Sequence, residues 1–273
     1  MHSEIPGSDG LASQVRSTAS LNFHQPVRLC YFWDCGPFQG GTTNRTNDRI
    51  PGMESTSETH ELPANFAAPI EGLQDIGRRF YARGWSVGTS SNYSVVTSRN
   101  PVELLITASG KDKGQLTTND FVRIAQDGRP VFDGQPESSA ETLLHTAIAA
   151  DANVGAVLHT HSIWGTLLSD LHFDNGFLTI AGYEMLKGLA GITTHESAVT
   201  IRIFDNTQDI ASLATEFLQL RDAGEPGLTH AFLMRGHGLY TWGSDLDEAR
   251  RHVEVLEFLF EVAGRKTHIA NAY

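Results

Sequence analysis

The alternation between two hydrophobic periods is the sequence feature that most constrains the fold of this chain. Apolar residues from Ile70 to Phe80 recur at the spacing of a helix, which Gly84 ends. Runs rich in β-branched residues follow at 93–97 and 104–107, bounded by turn residues, and these runs predict strands. A chain that interleaves helices and strands in this way is typical of an α/β domain.

The remainder of the chain continues the alternation. A helix is predicted over residues 139–150, with Ser139 as its N-cap. The same criteria predict strands at 155–161, 199–203 and 231–234 and helices at 207–223 and 245–263. The sequence shows no internal repeat. The predicted fold is therefore a single α/β domain in which helices cover the faces of a central β-sheet.

The N-terminal region has a different composition. Residues 1–62 are rich in Ser, Thr, Asn, Gly and Pro and show no sustained period, which predicts an unstructured leader. We expect natural translation to begin at Met53 and the folded domain to span residues 63–273. The two cysteines, Cys30 and Cys35, lie in the leader without further ligands nearby, so a disulfide scaffold or a zinc ribbon is not indicated.

Charge and hydropathy exclude several classes of protein. Twenty Lys and Arg against 32 Asp and Glu leave a formal net charge of -12, which repels nucleic acids and anionic membrane surfaces. No apolar run approaches the roughly 20 residues that cross a bilayer, and the N-terminus lacks a signal-peptide pattern. We expect a cytoplasmic protein that binds neither nucleic acid nor membrane and that holds an anionic substrate through local groups.

Three histidines suggest a metal site. His159 and His161 end the predicted strand 155–161, and residues two apart in a strand point to the same face. Such a pair is by itself more often structural than metal-binding. His237, flanked by glycines, follows the predicted strand 231–234 at a turn that would expose its side chain. Three imidazoles with an open fourth position are typical of a catalytic Zn²⁺ or a related divalent metal.

Three loops of small and hydroxyl residues suit an anion. They cover residues 88–92, 108–111 and 138–139. Small residues let backbone N–H groups approach an oxyanion, and hydroxyls donate hydrogen bonds to it. Each loop would also serve as an ordinary turn, and none matches a nucleotide-binding fingerprint.

Two carboxylates could perform acid–base chemistry beside a metal. They are Glu141, at the start of a predicted helix, and Glu184, in the segment 184–188. Either one also fits a solvated position on a helix surface, and spacing alone does not choose between them.

Taken together, these residues resemble a known family. The segments 159–161 and 236–238, the loop 89–92 and the pair Ser109 and Gly110 resemble the class II aldolase and adducin-head family, over about residues 66–265. Within that family, four segments look most like a branch that removes water from a ketose phosphate in methionine salvage: residues 84–94, 108–114, 184–188 and 235–243.

The resemblance implies a three-layer α/β fold, a homotetramer with active sites near subunit contacts, and one Zn²⁺ per subunit held by His159, His161 and His237. It implies a small ketose-phosphate substrate whose phosphate is bound by five residues: Thr89, Asn92, Ser109, Gly110 and Ser139. In the water-eliminating branch the catalytic glutamate matches Glu184. In the aldolase branch it matches Glu141, which is therefore the alternative catalytic residue.

Three functions follow from the resemblance, and the sequence leaves them open. The first is a zinc-dependent hydro-lyase. The second is a class II sugar-phosphate aldolase or epimerase, although Ala140 interrupts the pair of serines that usually precedes the aldolase glutamate. The third is a non-enzymatic interaction module like the adducin head. The complete set of histidines argues against it, because a scaffold needs no open metal position.

Overall fold

The computed structural model describes Leu62 and residues 64–271. Apart from Leu62, the predicted leader with Met53 and both cysteines lies outside the described residues. Within the described part, the helices are α1 (Ala67–Ala82), α2 (Thr142–Ala149), α3 (Ile163–Leu171), α4 (Ile210–Asp222) and α5 (Leu246–Asn271). The strands are β1 (Asn92–Arg99), β2 (Val102–Thr107), β3 (Phe121–Ala125), β4 (Ala156–Thr160), β5 (Phe177–Ala181), β6 (Ala198–Phe204), β7 (Ala231–Met234) and β8 (Gly238–Gly243).

All of these strands form one sheet in the order β3-β2-β1-β4-β8-β7-β6-β5. Neighbouring strands are antiparallel except β6 and β7, which are parallel and joined through α4. Strand β4 lies inside the sheet, where His159 pairs with Asn92 of β1 on one side and with Tyr240 of β8 on the other. Strands β3 and β5 are the two edge strands of the sheet.

Helices cover both faces of the sheet. Successive strand residues point to opposite faces. Val157 therefore packs with Leu144 of α2 and Phe217 of α4, whereas Leu158 packs with the residues of α1 and α5. At the other end of the sheet, Leu233 packs with residues of α3 and α5. Helices α2 and α4 thus form one outer layer and α1, α3 and α5 the other, which confirms the predicted fold class. None of the described helices is long and apolar enough to cross a membrane.

The structure adds elements that the sequence patterns did not predict. These elements are strands β3, β5 and β8 and helix α3, which is separated from β4 by only two residues. The prediction that Ser139 is the N-cap of its helix is wrong. Helix α2 begins at Thr142, because residues 139–142 first form a turn in which the Ser139 carbonyl accepts from the Thr142 amide at 3.1 Å.

The apolar layer between α4 and the sheet can be tested at Phe217. Its ring is 1% exposed and contacts Phe232 and Trp242. We expect Phe217→Ala to lower the free energy of unfolding by about 3 to 5 kcal/mol, since it leaves a cavity in the core. The neighbouring Glu216→Ala, at an exposed site of the same helix, should change it by less than about 0.5 kcal/mol. Denaturant titration followed by circular dichroism measures both, and equal effects would contradict this packing.

Candidate metal centre and its cavity

Strand β4 brings the first two histidines together. His159 is fully buried near the end of β4, and His161 follows the strand with its amide donating to the Trp85 carbonyl at 2.8 Å. Because they are two residues apart, both rings lie on the α2 face of the sheet. Their Nε2 atoms are 2.7 Å apart. The side chain of Thr160 points the other way and donates to the buried carboxylate of Glu257 on α5.

The third histidine comes from the tight turn between β7 and β8. The His237 amide donates to the Met234 carbonyl at 3.1 Å, and Gly236 takes a positive φ of 59°. The turn also packs tightly against β4, since a Cβ at Gly238 would lie 2.0 Å from the Thr160 carbonyl oxygen. This close approach carries His237 Nε2 to 3.1 Å from His161 Nε2.

The donor set of the three imidazoles fits a divalent metal. One nitrogen from each ring lies within 4.8 Å of the others. A tetrahedral Zn²⁺ with Zn–N bonds of about 2.0 to 2.1 Å holds its nitrogens roughly 3.3 Å apart, so small ring movements suffice. His159 Nδ1 donates to the Leu239 carbonyl at 2.9 Å, which leaves Nε2 unprotonated and facing the cluster.

Burial keeps the imidazoles of His159 and His161 neutral. Burial, reinforced by the charge of His237, lowers the pKa of His161 to about 4. The same desolvation holds the pKa of His159 well below its usual value. Neutral imidazoles are the form that binds a metal, so these two histidines can accept a metal at neutral pH.

Glu141 lies against the histidine cluster. Its carboxylate oxygens are 3.2 Å from His237 Nε2 and 3.5 Å from His159 Nε2. Burial alone would raise the pKa of Glu141. The hydrogen bonds from His237 and Asn92 and the electrostatic attraction to the His159 and His237 rings outweigh that effect and hold the pKa well below its usual value. Glu141 is therefore a carboxylate at neutral pH.

A buried hydrogen-bond network orients Glu141. The Asn92 amide nitrogen donates to Glu141 Oε2 at 2.7 Å and to Ser139 Oγ at 3.1 Å. The Asn92 amide oxygen pairs with His145 Nε2, and His145 Nδ1 lies 2.7 Å from Ser94 Oγ. His145 pairs with the oxygen of the Asn92 amide, so the nitrogen of that amide must face Glu141. The sequence patterns did not predict this orienting role of His145.

All five residues expected to bind phosphate line one cavity of about 220 Å³. Glu141 and His161 line the same cavity, so it is continuous with the histidine cluster. Thr89 and Ser91 take positive φ values of 64° and 71°, which turns the loop sharply around the cavity. The Ser109 amide is already engaged by the Glu137 carbonyl, so its hydroxyl is the group left for a ligand. The cavity also contains Lys113, which the sequence interpretation did not single out.

The structure does not bring Glu184 to this site within one chain. Glu184 follows β5 in a 3-10 helix at Glu184–Gly188, and its side chain is 70% exposed. Its carboxylate pairs with Lys187 at 2.5 Å and lies 3.5 Å from His195. Strand β5 is four strands from β4, or about 19 Å at the usual spacing between strands.

The buried network makes stability depend on pH through His145. Burial lowers the pKa of His145 to about 4, against a smaller opposing effect of Glu141. Unfolded histidine titrates near about 6.5, so between these values the unfolded state binds more protons and stability falls as the pH falls. We expect the metal-free protein to lose about 3 kcal/mol more than His145→Gln between pH 7 and pH 4. Denaturant titrations at several pH values measure this difference, and parallel pH profiles would contradict it.

Comparisons with known proteins agree with this architecture. Residues 71–263 match the family described as class II aldolase and adducin N-terminal domain. The chain is 47% identical to the methylthioribulose-1-phosphate dehydratase of Alcanivorax borkumensis over 72% of this chain and 90% of that protein. It is 46% identical to the Pseudomonas fluorescens enzyme of the same name, over 73% and 93%.

Solved structures extend the likeness to the fold. The L-fuculose-1-phosphate aldolase of Thermus thermophilus superposes with a TM-score of 0.59 at 22% identity, covering 76% of this chain and 99% of that one. The sequence match over most of the folded part, together with this architecture, shows that the chain belongs to the class II aldolase and adducin N-terminal domain family.

Proposed function

We propose that this protein is a zinc-dependent hydro-lyase that dehydrates 5-methylthioribulose 1-phosphate to 2,3-diketo-5-methylthiopentyl 1-phosphate in methionine salvage. The observation that carries the proposal is the cluster of His159, His161 and His237, of which His161 lines the adjoining cavity. The names of relatives at 46% and 47% identity support the choice of substrate. The proposal keeps the cytoplasmic location and the homotetramer that we expect from the sequence and the family resemblance.

The reaction removes a proton from C3 and a hydroxyl from C4 of the substrate, and the resulting enol becomes a 2,3-diketone. A divalent metal at the three imidazoles, when bound, supplies Lewis-acid polarisation of the C2 ketone. In the proposed complex, Thr89, Ser109 and the neighbouring cavity residues hold the phosphate and so fix the sugar chain toward the histidines. Asn92 acts there by orienting Glu141 and Ser139. Glu141, ionised and oriented by Asn92, can accept a proton but has none to give at neutral pH.

The C4 hydroxyl needs a proton donor, and we assign that role to Glu184. Because Glu184 and His159 are separated by the width of four strands in one chain, the proposal requires Glu184 to come from a second copy. Its position after the edge strand β5 and its exposed side chain make such a contribution possible. This arrangement agrees with the expectation of active sites near subunit contacts.

One observation favours the runner-up function, a class II sugar-phosphate aldolase or epimerase. Glu141, which matches the acid–base residue of the aldolase branch, is the glutamate that lies against the histidines in a single chain. Against this reading, Ala140 replaces one of the two serines usual in that branch. The two reactions differ in whether a carbon–carbon bond breaks.

The dehydration is tested by product mass. We expect metal-loaded protein to convert 5-methylthioribulose 1-phosphate to a product one water lighter with all carbons retained, and a chelator to abolish turnover. His237→Ala should lose both metal and activity, whereas His172→Ala, at a half-buried histidine outside the cavity, should keep both. Elemental analysis measures the metal and mass spectrometry the product.

Other outcomes of this experiment identify the alternatives. Release of a two-carbon or three-carbon fragment would contradict dehydration and favour the aldolase with Glu141 as its acid–base residue. Protein that binds no metal and is unaffected by His237→Ala would favour the interaction module.

A shared site is tested by mixing variants. We expect Glu184→Gln and His237→Ala each to be inactive alone. Reassembled together at equal amounts, they should recover about a quarter of the activity, because some sites then combine an intact histidine set with an intact glutamate from another copy. The control pair His159→Ala and His237→Ala should recover nothing, since both residues act in one chain. Near-normal turnover by metal-loaded Glu184→Gln would show that Glu184 is not the acid.

A further inference from the structure

Lys113 is a buried cation that the proposed mechanism does not yet use. Lys113 is only 1% exposed, although lysine is almost never fully buried in folded proteins unless its charge is compensated. It lines the same cavity as Ser109, Ser139 and His161. Its ammonium group therefore lies at the wall of the substrate cavity and not in bulk solvent.

The protein gives this ammonium only neutral partners. Nζ donates to the Lys111 carbonyl at 2.8 Å and to the Thr89 carbonyl at 3.4 Å. Among the described residues, no carboxylate lies within salt-bridge distance of it. Asp112 and Asp120 act on its charge only through space, and burial outweighs them to lower the pKa of Lys113 to about 8. An ammonium has three donors, so one remains for a ligand.

The local backbone prevents this lysine from moving out to water. Asp112 caps the 3-10 helix Lys113–Gln115 by accepting from the Gly114 amide at 2.8 Å. Helix α1 presses on the same turn, because a Cβ at Gly77 would lie 2.2 Å from the Lys113 carbonyl oxygen. The turn is thus held from two sides, and the burial of the side chain is built into the packing of α1.

A buried charge without a counter-ion costs free energy unless a ligand of opposite charge offsets it. The ligand here would enter a cavity in a chain with a net charge of -12, whose overall field repels anions. An anionic substrate therefore needs a local positive charge that no other group neutralises, and the Lys113 ammonium provides one. The other ionised group at this cavity, Glu141, lies at the histidine end.

We propose that Lys113 binds the phosphate group of the substrate, as the charged member of a site otherwise made of hydroxyl, amide and backbone groups. This inference deepens the proposed function and rests on it for the identity of the substrate. Lysine serves phosphate sites as a point charge and needs no bidentate geometry. The carbonyls of Thr89 and Lys111 hold the ammonium in place, so that its remaining donor is available to the phosphate.

The test compares Lys113→Met with Lys266→Met in the metal-loaded full chain. Lys266 is an exposed lysine of α5 outside the cavity, so its replacement changes the net charge equally without touching the site. We expect Lys113→Met to raise KM and the Kd for inorganic phosphate by roughly 10- to 100-fold, with kcat little changed. Lys266→Met should leave all three near the wild-type values.

Thermal melting and metal content show whether the variants are folded. Lys113→Met should melt no lower than the wild type, since it removes an uncompensated buried charge. Lys113→Gln, which keeps a donor without the charge, serves if the methionine variant does not fold, and the same loss of phosphate affinity is expected.

Three results would overturn the inference. One is unchanged KM and phosphate affinity in folded Lys113→Met, and another is an equal loss in Lys266→Met. The third is a fall in kcat with phosphate affinity intact, which would assign the lysine to the reacting atoms. If the wild type does not dehydrate the substrate but binds inorganic phosphate in a Lys113-dependent way, the proposed function fails and the inference stands.

Discussion

The two-residue period of strand β4 is the constraint on which the site depends. It directs His159 and His161 to the α2 face, where Glu141 lies, and Leu158 and Thr160 to the α5 face. A slip of one residue would move both imidazoles into the opposite layer. Pairing on both sides prevents such a slip, and the same pairing places Asn92 of β1 directly opposite His159. The register of one interior strand therefore sets the histidine cluster and the residue that orients the carboxylate of Glu141.

Local patterns were enough to predict the parts of the site that local geometry determines. The HxH spacing placed two imidazoles on one face, and the glycines around His237 marked the turn that delivers the third. The loops of small residues were expected to meet an anion, and the structure gathers Thr89, Ser109 and their partners in one cavity. The α/β fold was likewise predicted from the alternation of helical and strand hydrophobic periods. Strand β8 was missed, because the glycines at its two ends indicate turns and obscure the run between them.

The features of the site that the sequence did not predict depend on contacts between segments that are distant in the chain. Glu141 and Glu184 have similar local surroundings in the sequence. Only the strand order, which puts β5 four places from β4, shows that one chain cannot bring Glu184 to His159. Lys113 lies in a polar loop whose sequence is typical of an exposed segment. It is nevertheless buried, because α1 packs over the loop at Gly77. His145 orients Asn92 from another element. No pattern within a window of residues encodes these relationships.

Under the proposed function, the protonation states of the two glutamates require a second chain for water elimination. An acid that serves at neutral pH needs a pKa near the working pH, and the pKa of Glu141 is held far below it by its histidine partners. A metal cation at the same histidines would favour the carboxylate further. Glu184 pairs with Lys187 in the single chain, which also lowers its pKa. Packing against a second copy would desolvate Glu184 and raise its pKa toward the range of a proton donor. The role of Glu184 as the acid and the assembly of subunits therefore form a single hypothesis. If Glu184 protonates the leaving hydroxyl, a neighbouring subunit must both position the Glu184 side chain and remove it from solvent.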